Sequence, residues 1–262
     1  SKVPWWSTAR PARNAYSRSM AVLPMFPLGS VLLPGAVLPL QVFEPRYRAL
    51  LRDCLAADAP DFGVVLIERG SEVGGGEHRS MIGTVARMIQ VAELGDGRFA
   101  VVCVGTRRIR VNAWLPDDPY PLADVDDWPD DWPEDWRDDL ESAATLLPQL
   151  ADLRARVRRA CALAGELGDG VFGDRLFGDG AAGDTDDVSD DPLVASYQLA
   201  ALAPIGPADR FALLRAAGPA ARIARLDEVM HDLEALLQFR LGGAGGLPSE
   251  GFGPGSDGRP RT

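Results

Sequence analysis

Residues 23–48 read Leu23-Pro-Met-Phe-Pro-Leu-Gly-Ser-Val-Leu-Leu-Pro-Gly-Ala-Val-Leu-Pro-Leu-Gln-Val-Phe-Glu-Pro-Arg-Tyr-Arg48, and this stretch decides the fold. It is apolar enough to suggest a signal peptide or membrane anchor, but Pro24, Pro27, Pro34 and Pro39, with Gly29 and Gly35, break any helix long enough to cross a bilayer. What remains is extended chain turned at prolines, from Met20 to Leu28 and again from Val31 to Phe43. Pro45 then suits the first position of a helix. Tyr47, Leu50, Leu51, Cys54 and Leu55 follow at helical spacing, so the sequence predicts a short amphipathic helix over residues 45–57.

Downstream the pattern is strand-rich. Phe62 to Ile67 is an apolar run rich in β-branched residues, and Met81 to Val91 follows the Gly74-Gly75-Gly76 loop. Gly95-Asp-Gly97 tolerates positive φ, so Arg98 to Val104 completes a hairpin. In the next run Ile109, Val111, Ala113 and Leu115 alternate with Arg108, Arg110, Asn112 and Trp114, which predicts one buried and one polar face. Residues 20–125 therefore form a β domain with one helix.

The composition changes at Asp126-Asp-Trp-Pro-Asp-Asp-Trp-Pro-Glu-Asp-Trp136. Proline at every fourth position forbids a continuous helix before Pro133, so residues 126–135 read as an acidic Trp-Pro linker. Residues 136–241 carry helical periodicity and form a helical subdomain, first as two pieces or one helix bent at Pro148. Helices starting at Pro192, Pro207 and Pro219 follow. Within this subdomain, residues 168–191 alternate Gly and Asp and read as a disordered loop. The basic extension of residues 1–19 and the Gly/Pro/Ser-rich tail of residues 242–262 are expected to be flexible.

Composition narrows the function. Net charge is −11 over 262 residues, and because residues 1–19 are basic, the remainder carries about −15. So acidic a body repels phosphate backbones, which makes nucleic acid an unfavoured partner. Cys54, Cys103 and Cys161 show no CxxC spacing and only His78 and His231 supply imidazoles, so neither a disulfide framework nor a metal site is expected. No cofactor motif is present, and a reducing cytoplasmic compartment fits.

The quoted segment resembles the opening of the Lon protease N-terminal, substrate-binding domain, in which a similar proline string leads into a Phe-Glu-Pro-Arg-Tyr turn. Ile82-Gly-Thr-Val-Ala-Arg87, Phe99 to Val102, Val104-Gly-Thr-Arg-Arg-Ile-Arg-Val111 and Tyr120-Pro-Leu-Ala123 follow in family order. Asp191-Pro-Leu-Val-Ala-Ser-Tyr and Arg222-Ile-Ala-Arg-Leu resemble the family's helical extension. The resemblance implies an α+β fold, a PUA-like β-pseudobarrel followed by an α-helical bundle, and a role in recognising polypeptides. It also implies a stand-alone form without ATPase or peptidase. Both activities of full Lon proteases need a lysine in a defined place, and Lys2 is the only lysine among 27 basic residues.

The expected function is therefore a non-catalytic module that binds unfolded segments or a specific protein partner, through an apolar groove between barrel and helices. Candidate peptide-contacting residues are Glu44, Arg46 and Tyr47 at the turn, and Trp128 and Trp132 in the linker. Each has a structural reading that is preferred: Arg46 paired with Glu44, Tyr47 packed inside, and the tryptophans covering the seam between barrel and helices. Two alternatives stay open. One is RNA binding by fold analogy, with Arg107, Arg108 and Arg110 as a local basic cluster; the other is a hydrolase using paired carboxylates.

Overall fold

The computed structural model describes residues 21–69, 78–132, 140–167 and 185–244. Six strands occur among them: β1 (Ala21–Leu28), β2 (Val37–Val42), β3 (Asp61–Arg69), β4 (His78–Glu93), β5 (Phe99–Leu115) and β6 (Leu122–Asp127). The order is β2-β5-β4-β3-β1-β6, with a further pairing of β5 to β6. That pairing closes β1, β3, β4, β5 and β6 into a ring and leaves β2 as an added strand.

The length of β5 makes this possible. One edge pairs with β4 from Phe99 to Arg110, while the other edge serves β2 up to Val104 and β6 from Ile109 onward. The sequence reads two separate runs here; the chain instead forms one continuous strand. The clean alternation also fails, because a bulge between Val111 and Ala113 shifts the register and turns Ala113 outward.

Helix α1 (Pro45–Ala56) matches its predicted span, with Pro45 at the first helical turn. Its Tyr47 ring stacks on Phe26 of β1 at 4.0 Å between centroids. Leu50, Leu51 and Cys54 fill the same cluster as Phe62, Val101 and Cys103. A second barrel cluster holds Met25, Val65, Val85, Ile109, Val111 and Val125, on the opposite side of β1 from Phe26.

The helical half comprises α2 (Leu140–Leu167), α3 (Pro192–Leu202), α4 (Pro207–Leu214) and α5 (Pro219–Ala244). Pro148 lies within α2, which runs through it as one helix. Asp191 caps α3 by accepting the Leu193 N–H at 3.0 Å. Two expectations are corrected here. The Gly/Asp loop gains structure at Thr185, where a short 3-10 turn precedes Val188, a member of the helical core. Helix α5, whose buried stripe runs to Leu237, continues to Ala244, past the expected start of the tail. Residues 1–20, 70–77, 133–139, 168–184 and 245–262, with Trp136, the triple glycine and most of the acidic loop, lie outside the described residues.

The turn between β1 and β2 connects the two halves. Leu32 packs in the barrel cluster around Phe26, whereas its neighbour Leu33, 1% exposed, packs in the helical cluster with Leu213 and Ile223. Gly105 lets this turn cross β5, since a Cβ there would stand 2.3 Å from the Leu33 carbonyl oxygen. Gly105 also exchanges backbone hydrogen bonds with Gly35 and Ala36 at 2.8 and 2.9 Å.

Candidate functional site

The turn before α1 is built locally. Glu44 occupies the cap position in extended conformation, and Pro45 directs the next side chains. Arg46 Nε donates to Glu44 Oε2 at 3.0 Å, both side chains being 19% exposed. The Arg46 guanidinium also lies 4.5 Å from the Tyr47 ring centroid. Tyr47 itself is buried, so this turn presents the Glu44–Arg46 pair at its surface and keeps the ring in the core.

The linker residues lie elsewhere. Strand β6 runs to Asp127, and the chain then crosses from barrel to helices as a strap, Trp128 to Trp132. Trp128 is fixed by its N–H donating to the Arg108 carbonyl at 2.9 Å. Its ring packs against the guanidinium groups of Arg108 at 4.4 Å and Arg110 at 4.8 Å. The Asp131 N–H donates to the Ala217 carbonyl at 2.9 Å, and Trp132 packs against the helical core. The tryptophans thus sit at the seam, about Arg108 and the helical core, whereas Arg46 packs on Tyr47 and Tyr47 on Phe26 of β1.

Arg108 overturns the reading of Arg107, Arg108 and Arg110 as one basic surface. It is 3% exposed. Its Nη1 donates to the carbonyls of Leu214 and Ala216 at 2.7 and 2.6 Å, at the C-terminal end of α4, and its Nη2 lies 3.0 Å from Asp130 Oδ1. Arg107 points to the other side of β5 and pairs with Asp127 at 2.7 Å. Only Arg107 and Arg110 remain exposed or half-exposed, on opposite faces.

Arg222 of α5, fully buried, completes the seam. It donates to the Leu213 carbonyl at 3.2 Å, Ser196 Oγ at 2.9 Å, the Tyr197 hydroxyl at 2.7 Å and Asp130 Oδ1. The Tyr197 hydroxyl donates to Asp130 Oδ2 at 2.8 Å. Burial pulls the Arg108 pKa below its ordinary value and pushes the Tyr197 hydroxyl up. Leu33 is buried in the helical core and Val31, Ala36, Ile82 and Trp132 pack against it, so among the described residues these apolar side chains fill the seam and do not line an open groove.

Exposed apolar side chains occur instead on the outside of the β2-β5-β4 sheet. Register partners share a face, so Val37, Pro39 and Gln41 lie on one surface with Val104, Val102 and Ala100 of β5 and Arg87, Gln90 and Ala92 of β4, Val104 itself being buried. Val37 is 49% exposed, Phe43 just past β2 is 55% exposed, and Ile89 at a β4 bulge is 60% exposed. Sequence reading missed this face because Val37 and Pro39 on one side and Leu38, Leu40 and Val42 on the other make β2 apolar on both sides, the pattern of a strand covered twice. A separate cavity of about 390 Å³ opens on the helical half between Leu147, Leu150, Ala151, Arg154 and Asp190.

Burial pushes the thiols of Cys54 and Cys103 up to about 12, so they hold their protons and are poor nucleophiles at neutral pH. Among the described residues no group of three or more His, Cys, Asp or Glu is placed to hold a metal, and no helix is long and apolar enough to cross a membrane.

A family model described as the substrate-binding domain of the ATP-dependent protease La (LON) matches residues 22–232. Lon protease 2 of Myxococcus xanthus is 37% identical over 107 residues, spanning 40% of this chain and 13% of that protein. Lon protease of Anaeromyxobacter dehalogenans is 35% identical over 108 residues, again 13% of its length. The chain therefore matches a small part of these relatives. Among solved structures, a Lon N-terminal domain protein from Xanthomonas campestris is similar with a TM-score of 0.52 and 28% identity, covering 79% of this chain and 97% of that one. The N-terminal domain of a Mycobacterium avium complex Lon protease shares the fold, with a TM-score of 0.52 at 19% identity over 81% of this chain and 99% of that one.

Proposed function

This chain belongs to the Lon substrate-binding domain family, and we propose that it acts as a non-catalytic, cytoplasmic module that binds segments of other polypeptides. The observation that carries the proposal is the group of exposed apolar side chains on and beside the outer face of β2 and β5, which no described element covers, on a member of that family. Val37, Pro39, Val102, Phe43 and Ile89 offer an apolar contact surface, and burying it releases roughly 25 cal/mol per Å². Such a surface selects extended, apolar segments of the kind exposed in unfolded proteins. The Glu44–Arg46 pair follows Phe43 directly and supplies a polar rim.

The test is titration of a fluorescently labelled, reduced and alkylated polypeptide with the parent chain and with a Phe43→Ser, Ile89→Ser variant. Affinity should fall by about tenfold or more, while stability changes by less than about 0.5 kcal/mol per site as for other exposed positions. Raising the salt should leave parental affinity almost unchanged, because apolar burial is not screened. Equal affinity of parent and variant, or tight binding of an RNA oligonucleotide with a steep salt slope, would overturn the proposal.

A further inference from the structure

We propose that Trp128 to Trp132 is a latch that holds the helical half against the barrel through one carboxylate, Asp130. Four elements meet at that group: Arg108 comes from β5, Asp130 from the strap, Tyr197 from α3 and Arg222 from α5. The side chains of Arg108 and Arg222 are 1% and 0% exposed, and that of Asp130 is 10% exposed. Among the described residues two buried guanidinium groups therefore share one compensating carboxylate, both through Oδ1, while Oδ2 accepts the Tyr197 hydroxyl.

Like charges at this separation in a poorly screened interior repel strongly once the carboxylate is neutralised. The repulsion acts across the seam, because one arginine is anchored in the barrel and the other in α5. Arg222 keeps its bond to the Leu213 carbonyl inside the helical half, whereas the bonds from Arg108 to the Leu214 and Ala216 carbonyls cross the seam and break as it opens. What opens is the joint. Opening it would uncover a second apolar surface, carried by Val31, Leu33, Ala36 and Ile82 and now closed against the helices. The acidic Trp-Pro motif thereby gains a role that its composition alone does not suggest: it decides whether that surface is hidden.

The experiment is hydrogen exchange by mass spectrometry on the full chain carrying Asp130→Asn, with Asp131→Asn as control, alongside fluorescence of a dye that binds exposed apolar surface. Residues 196–223 and 31–36 should exchange at least about tenfold faster in Asp130→Asn, and dye fluorescence should rise, while 61–67 and 85–91 in the barrel keep their rates. Asp131→Asn should match the parent, because Asp131 is exposed and contributes its backbone. Uniform acceleration throughout the chain, or no change, would overturn the latch. Should Asp130→Asn fail to accumulate as folded protein, Tyr197→Phe keeps all three charges and removes the hydroxyl's bonds to Asp130 and Arg222. It should then give the same regional pattern at about threefold, and a different pattern would reject the proposal.

Discussion

The turn at Glu44–Tyr47 and the strap at Trp128–Trp132 both set acids against arginines and aromatics, yet they act in opposite ways. At the turn, partners two residues apart form a pair that water still reaches, so its charges are screened and the fold rests on Tyr47 beneath it. At the strap, partners 92 residues apart form a network whose two arginines are buried and whose carboxylate is 10% exposed. There the same residue types join two halves of the molecule, because an unscreened charge must be matched by another or destabilise everything around it. Burial, more than residue type, decides what an ion pair does.

The comparison predicts its own largest effect. Asp130→Asn should destabilise the protein by about 3–5 kcal/mol in chemical denaturation, whereas Glu44→Gln should cost less than about 1 kcal/mol. Equal effects would break the distinction. Leu33→Ala asks whether packing shares in holding the seam, and should cost about 3 kcal/mol with the loss falling on the helical half. Leu33 is buried there although it belongs to the barrel's own turn.

Smaller effects sharpen the other side. Arg46, paired with Glu44 as its sequence position suggested, is part-exposed, so Arg46→Ala should shift the denaturation midpoint by less than about 1 kcal/mol's worth. A larger loss would mean the turn behaves like the strap. The smallest effect at neutral pH is that of the buried thiols. Their folded pKa near 12 lies above the ordinary value of 9.0, so folding favours the protonated form. That contribution is fully present below about pH 9 and is lost as pH rises toward 12. Denaturation midpoints should therefore fall between pH 9 and pH 11 in the parent, and a Cys54→Ala, Cys103→Ala variant should show a flatter profile.

Local signals in the sequence carried much of this architecture. Prolines at 24, 27, 34 and 39 excluded a membrane helix, Pro45 and the spacing from Tyr47 to Leu55 set α1, and Pro192, Pro207 and Pro219 marked the starts of three later helices. These features depend on backbone dihedrals and residue spacing within one or two turns, which the chain fixes before it folds. Tertiary structure decided the rest. Nothing near Arg108 in the sequence indicates that it will be buried against the end of α4, and nothing near Asp130 points to Arg222. The same holds for β2, apolar on both sides, whose outer face is left uncovered because no described element packs on it. A side chain's spacing predicts its local conformation; its charge state, burial and partner depend on which distant element comes to rest against it, and that is settled only when the barrel closes and the helices dock.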